Sequence, residues 1–220
     1  VNSLERIRAA VAFERPDRLP VIAQVFGHAA AQVGVELDRY VQDGELLAHC
    51  QLLALERYGY DAVFALMDAN VETEAMGSVL RYPRNRYPLI QENAFGDIRE
   101  VSGSMLPNPL RDGRMPELLK AVAILRRELG NSYLVTGCVI GPMTLATQLL
   151  GIEDTLYSAV DVPERFGLLL DTAAEAAILF GKAQLEHGAH LPLVFEPAAT
   201  PDVIPTGLFR EFVVPRLQRV

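Results

Sequence analysis

The stretch FALMDANVETEAMG, Phe64 to Gly77, opens with apolar residues and then places Asp68, Asn70, Glu72 and Glu74 within seven positions. The apolar part belongs to the run AVFALM, residues 62 to 67, whose length and composition read as a buried strand. Before it, Leu46, Leu47, Cys50, Leu53 and Ala54 recur at helical spacing, and Gly59 stops that helix. After it, SVLRYPRNRYPLIQENAFGDIREV alternates loosely, is broken by Pro83, Pro88 and Gly96, and reads as an irregular hairpin at one rim.

The same alternation of strand and helix extends in both directions. Asn2 and Glu5 form a capping-box pattern ahead of Leu4, Ile7 and Val11, and VIAQVF, residues 21 to 26, reads as the first strand. Pro116 starts a helix with the stripe Leu118, Val122, Leu125 and Leu129, followed by a third strand over 133 to 140 and a helix carrying TLATQLL. Asp161, Pro163 and Glu164 supply the start of the longest helix, which should end at Gly188. A fourth strand follows over 191 to 196, and TGLFREFVVPRLQRV begins a helix bent at Pro215. Near-continuous apolar strands separated by helices predict a parallel sheet covered by helices, an α/β fold.

Composition narrows the function. The 220 residues carry a net charge of −8, which argues against nucleic acid or anionic lipid as a partner. No stretch approaches the roughly 18 apolar residues of a membrane span. The first residues are charged where a secretory signal would be apolar, so a cytoplasmic protein is expected. Cys50 and Cys138 stand alone, without the spacing of a disulfide framework or a zinc motif.

In parallel α/β sheets ligands sit at the carboxyl ends of the strands. That rule gathers His28, Asp68 and Glu196 at one mouth. Each also has a plainer reading: Asp68 as a helix cap, Glu72 and Glu74 as a solvated helix start, His28 as exposed, and Glu196 as the partner of a nearby Arg or Lys. Two carboxylates and an imidazole suit a divalent ion, but the local spacing of His28, Asp68 and Glu196 does not require one. Nucleophile-elbow, GxGxxG and GxxxxGKS patterns are absent.

The ordered set SLERIRAAVAFERPDRLPV, YGYDAVFALMDANVETEAMG, GPMTLATQLLG, DVPERFGLLLDTAAEAAILFGKAQLEHGAH and FEPAATPDVIPTGLFREFVVP resembles the uroporphyrinogen decarboxylase superfamily along the whole chain. The resemblance implies a (β/α)8 TIM barrel, whose typical length of roughly 250 residues or more makes residues 1 to 220 a partial, N-terminal part with about four strand-helix units. An isolated half barrel is expected to associate with itself as a homo-oligomer, because its edge strands are open.

Two kinds of enzyme make up this superfamily. The decarboxylases bind a polycarboxylate tetrapyrrole with arginines near the first strand end, where this chain reads FGHAAAQVG with no arginine between Arg18 and Arg39. Asp68 matches the aspartate that contacts the pyrrole nitrogens in those enzymes, whereas Gln148 stands where their segment continues to a tyrosine and Pro197 stands near their serine. The FERPDRLPV, VETEAMG and PAATPDVIP segments are more similar to the corrinoid-dependent methyltransferases, which move a methyl group from a corrinoid protein to a thiol or related acceptor. The resemblance therefore implies a corrinoid supplied by a partner protein, a small-molecule methyl acceptor, and a zinc ion that binds the thiol. The branch's zinc ligands, a His-x-Cys pair and a later cysteine, have no counterpart among residues 1 to 220, so no metal ligand is assigned here. Asp68 is the expected catalytic residue, with His28, Gln148 and Glu196 lining the substrate cavity. A decarboxylase, or a non-catalytic half barrel acting in binding or assembly, is the alternative.

Overall fold

The computed structural model describes residues 1–220. Asn2 opens α1 (Ser3–Val11) as its capping box requires: its side chain accepts the Glu5 N–H and the Glu5 carboxylate accepts the Asn2 N–H, both at 2.9 Å. Two short helices, α2 (His28–Gln32) and α3 (Leu37–Tyr40), lead to α4 (Gly44–Tyr58), which Gly59 ends with φ 66°. Strand β1 (Ala62–Phe64) follows, then α5 (Val71–Ala75) and the antiparallel hairpin β2 (Val79–Arg81) with β3 (Leu89–Glu92). Next come α6 (Met115–Leu129), the fully buried β4 (Leu134–Ile140), α7 (Pro142–Leu150), α8 (Ile152–Asp161), α9 (Pro163–Glu186) and β5 (Leu191–Phe195). The chain closes with α10 (Thr206–Leu208), a π turn and α11 (Val214–Leu217). The π turn, Phe209–Val213, lies just before Pro215, where the missing N–H and the ring disfavour a regular turn.

The sheet is parallel with the order β1-β4-β5, registered Ala62 to Leu134 and Thr136 to Leu191. It has three strands, not the expected four, because residues 21 to 26 form no ladder. Val21 O accepts the Asp61 N–H at 2.7 Å, but the Val21 N–H is taken by the Asp61 carboxylate at 2.7 Å and the Val25 N–H turns back to Ala23 O. The segment still lies against the sheet: the Phe26 ring meets Phe64 at 5.6 Å and Phe195 at 6.0 Å.

A second expectation also changes. Asp161 does not cap α9; it is the last residue of α8, and Val162 precedes Pro163 without a side-chain cap. A residue already helical in one element cannot take the extended conformation a cap needs.

One face of β4 turns Val135 and Val139 into a core shared with α4, α6 and α9, while α7, α8 and α9 enclose a second core around Met143, Leu149 and Phe166. Where β1 stops, β4 finds substitutes for a strand neighbour. The Gln184 amide of α9 accepts the Cys138 N–H at 2.7 Å and donates to Cys138 O at 2.8 Å. Gly137 permits this approach, since a Cβ there would stand 2.1 Å from Gln184 Oε1.

Candidate functional site

Asp68 follows β1 and is 5% exposed. Its Oδ1 accepts the Asn70 N–H at 2.8 Å, a local turn bond, and its main partner arrives from far along the chain. Arg114, just before α6, donates to Asp68 Oδ2 at 2.5 Å and Oδ1 at 3.2 Å, to Glu74 Oε2 at 2.6 Å and to Val41 O at 2.7 Å. Tyr82 of the β2-β3 hairpin donates its hydroxyl to Glu74 and places its ring 5.2 Å from the guanidinium. This bidentate, stacked arrangement suits arginine and no other cation. Sequence reading missed Arg114 altogether, for nothing in RMPELL marks it as the partner of an aspartate 46 positions earlier.

Glu72 is 2% exposed, which corrects the reading of it as part of a solvated helix start. Its carboxyl accepts the Ile140 N–H at 2.8 Å, again on the side of β4 that β1 has left. Burial pushes its pKa up to about 7, Asp68 adds to the rise, and the Ile140 N–H and Arg114 oppose it. Glu196 has no arginine or lysine partner, contrary to its plainer reading. It caps α7 instead, accepting the Met143 N–H at 2.9 Å, the Thr144 N–H at 2.7 Å and the Thr144 hydroxyl at 2.5 Å. Burial raises its pKa while these donors pull it down. Gly141 makes room, because a Cβ there would stand 2.3 Å from Glu196 Oε2.

Gln148 of α7 joins the same region: its amide accepts the Thr73 hydroxyl at 2.6 Å and donates to Ala69 O at 2.9 Å. Asp68, Glu72 and Gln148 thus surround the segment between β1 and α5, and Glu196 stands across the Ile140–Gly141–Pro142 turn. His28 is apart from them. Exposed at the start of α2, it meets the Tyr58 hydroxyl at 3.1 Å, at the end of α4 that leads into β1. A cavity of 530 Å³ among α9, β5 and the last residues, lined by Gly181, Pro192 and Val220, holds none of these carboxylates.

The donors present do not fit a zinc-thiolate centre. No three His, Cys, Asp or Glu side chains converge as metal ligands. Burial pushes the Cys50 thiol up to about 11, and burial together with Glu72 raises Cys138 as well, so neither is a ready thiolate. What the mouth does provide is one guanidinium, Arg114, among the carboxyls of Asp68, Glu72 and Glu74, and an apolar cluster in which Phe26 meets Phe64 and Phe195, the last residues of β1 and β5.

A buried parallel sheet with polar residues gathered after its strands is an α/β arrangement with a candidate ligand-facing end, and comparison with known proteins says which family it belongs to. The profile described as uroporphyrinogen decarboxylase (URO-D) matches residues 2–220, and the chain belongs to that family. The methylcobamide:CoM methyltransferase MtaA of Methanosarcina barkeri is 28% identical over 219 residues, covering 97% of this chain and 64% of the relative. The uroporphyrinogen decarboxylase of Magnetococcus marinus is 30% identical over 190 residues, covering 80% of this chain and 51% of the relative. A solved methyltransferase from Methanosarcina mazei superposes with a TM-score of 0.89 at 27% identity, over 99% of this chain and 66% of its own. The family resemblance read from the motifs therefore holds, and the chain spans about 64% of the length of MtaA. No helix is long and apolar enough to cross a membrane.

Proposed function

We propose that the protein takes part in methyl transfer from a methyl-corrinoid carried by a partner protein to a small thiol acceptor, as a cytoplasmic enzyme and as the N-terminal part of a (β/α)8 barrel. The observation that carries this reading is the charge of the mouth. Arg114 is held by Asp68, Glu74 and Val41 O, and carboxyls outnumber it, so a polycarboxylate porphyrinogen would meet repulsion where a decarboxylase needs arginines. A methyl group carries no such demand. The thiol gives its proton to solvent, its sulfur forms the bond to the methyl carbon, and the bond between methyl and corrinoid breaks with its electron pair left on the corrinoid; the Phe26–Phe64–Phe195 cluster is suited to an apolar transferred group.

In this reading Asp68 stands at the reacting end, fixed by Arg114, while Gln148 and Glu196 hold the surrounding backbone. His28, held at Tyr58 and apart from the other three, has no part in this reading. Zinc would need donors other than those of residues 1 to 220, and no step is assigned to it. The half-exposed β5 edge supports self-association or closure by further strands.

The second reading, decarboxylation, is favoured by the match to the Magnetococcus marinus enzyme. One experiment separates the two: the protein is incubated with a methylated corrinoid protein and coenzyme M, and separately with uroporphyrinogen, and products are identified by mass spectrometry. Methylated coenzyme M is expected. Coproporphyrinogen in its place would overturn the proposal, and stable capture of the corrinoid protein without turnover would favour the binding or assembly role.

A further inference from the structure

We propose that Glu72 is the positioning residue of the mouth: its carboxyl stands in for the strand neighbour that Ile140 lacks, and its proton sets how firmly the Ile140–Gly141–Pro142 turn is held. The inference concerns the geometry of the mouth and stands whichever reaction takes place there. β1 ends at Phe64, so the upper half of β4 has no strand on that side. Gln184 supplies both bonds at Cys138, and Glu72 supplies the next one, accepting the Ile140 N–H at 2.8 Å. On the far side of the turn, the Gly141 N–H donates to Phe195 O at 2.7 Å and Glu196 grips Met143 and Thr144. Glu72 is thus the one ionisable group holding the near side of a turn whose far side is pinned by β5 and Glu196.

The surroundings make that grip sensitive to protons. Asp68 faces Glu72 from beyond β1, Arg114 from the start of α6, and Cys138 from β4, while Glu74 on the same helix is turned to Arg114 and Tyr82. α7, packed against α5, carries no charged side chain. Ionised, Glu72 accepts the Ile140 N–H as a charge-assisted bond, roughly twice as strong as a neutral one. Protonated, it relieves the repulsion with Asp68 and holds the turn more loosely. Its pKa of about 7 places the change near neutrality.

The test is nuclear magnetic resonance of the 220-residue chain, titrated from about pH 5 to about pH 9. The Glu72 carboxyl carbon and the Ile140 and Gly141 amides are expected to titrate together with a midpoint near 7. The amide step should vanish in Glu72→Gln, which keeps an acceptor for the Ile140 N–H but cannot ionise. In Glu72→Ala the Ile140 amide should exchange with solvent about tenfold faster or more. A Glu72 carboxyl that titrates near 4.5 in the unaltered protein, or an amide step that persists in Glu72→Gln, would overturn the proposal. The carboxyl measurement needs no variant, and loss of methyl-transfer activity would leave it untouched.

Discussion

Two aspartates bracket β1, and both are buried against arginine. Asp61, at its start, is completely buried and takes bonds from Ser3 at 2.7 Å, Arg6 at 2.7 Å, Arg18 at 2.7 and 2.9 Å, and the Val21 N–H at 2.7 Å. Arg6 also forks onto Asp17, 2.8 Å for each bond, so two arginines face two aspartates. Burial would raise the Asp61 pKa, but Arg18, the Val21 N–H, Ser3 and Arg6 together hold it well below the usual carboxylate range. Asp68, past the other end, shares a single arginine with Glu74 while Glu72 stands close by. The start of the strand is a charge-balanced staple between the first 21 residues and the sheet. Its end keeps a surplus of carboxyl groups, one of them near its titration point, as expected of the ligand-facing end of such a sheet.

The largest effect should come from the staple. Asp61→Ala would strand Arg18, leave Arg6 with Asp17 alone and release the Val21 N–H, and a buried pair broken from one side costs about 3–5 kcal/mol. Urea unfolding measures this directly.

The next effect distinguishes the two ends by the sign of their pH dependence. Asp61 titrates lower folded than unfolded, so its contribution is present above the ordinary value of 3.8 and is lost as pH falls through the lowered value. Glu72 is raised in the folded state. Its contribution is complete below about 4.5 and is lost as pH rises through about 7. The loss is on the order of 3 kcal/mol. Unfolding of the unaltered protein and of Glu72→Gln at about pH 5 and about pH 8 should show a steeper fall with pH in the first than in the second, where Glu196 alone of the two raised carboxyls remains.

Smaller effects sharpen the contrast. Arg114→Lys keeps the charge but cannot bridge Asp68, Glu74 and Val41 O, and should cost about 2 kcal/mol. Arg18→Lys, at a side chain 46% exposed, should cost under about 1 kcal/mol. Glu196→Gln removes a charge from the start of α7 and should cost about 1 kcal/mol or less, read as a shift in the same unfolding curves.

Much of the fold was legible because its signals are local. The Asn2–Glu5 box, the Gly59 stop, the hairpin and the strands ending at Ile140 and Phe195 all declare themselves within a few residues. What escaped depends on partners distant in sequence. Residues 21 to 26 have the composition of a strand, yet the Asp61 carboxylate takes the backbone donor a ladder would use. Glu72 lies in VETEA, which has the composition of a solvated turn, and becomes buried where α5 packs against α7 and β4. The place of Asp68 after a strand marks it in the sequence, but its tie to Arg114 depends on where α6 begins. Asp161 reads as a cap so long as Ile152–Asp161, of which it is the last residue, is not recognised as α8.

The most direct test compares the two aspartates with the same substitution. Asp61→Asn and Asp68→Asn are unfolded in urea at one pH. Asp61→Asn leaves Arg18 without a carboxylate and Arg6 with Asp17 alone, whereas Asp68→Asn eases the crowding of carboxyls and leaves Arg114 with Glu74. Asp61→Asn should therefore cost on the order of 2 kcal/mol more than Asp68→Asn. An equal or greater loss in Asp68→Asn would mean that the acids at the mouth are a second staple, and that this end of the sheet is not poised for chemistry.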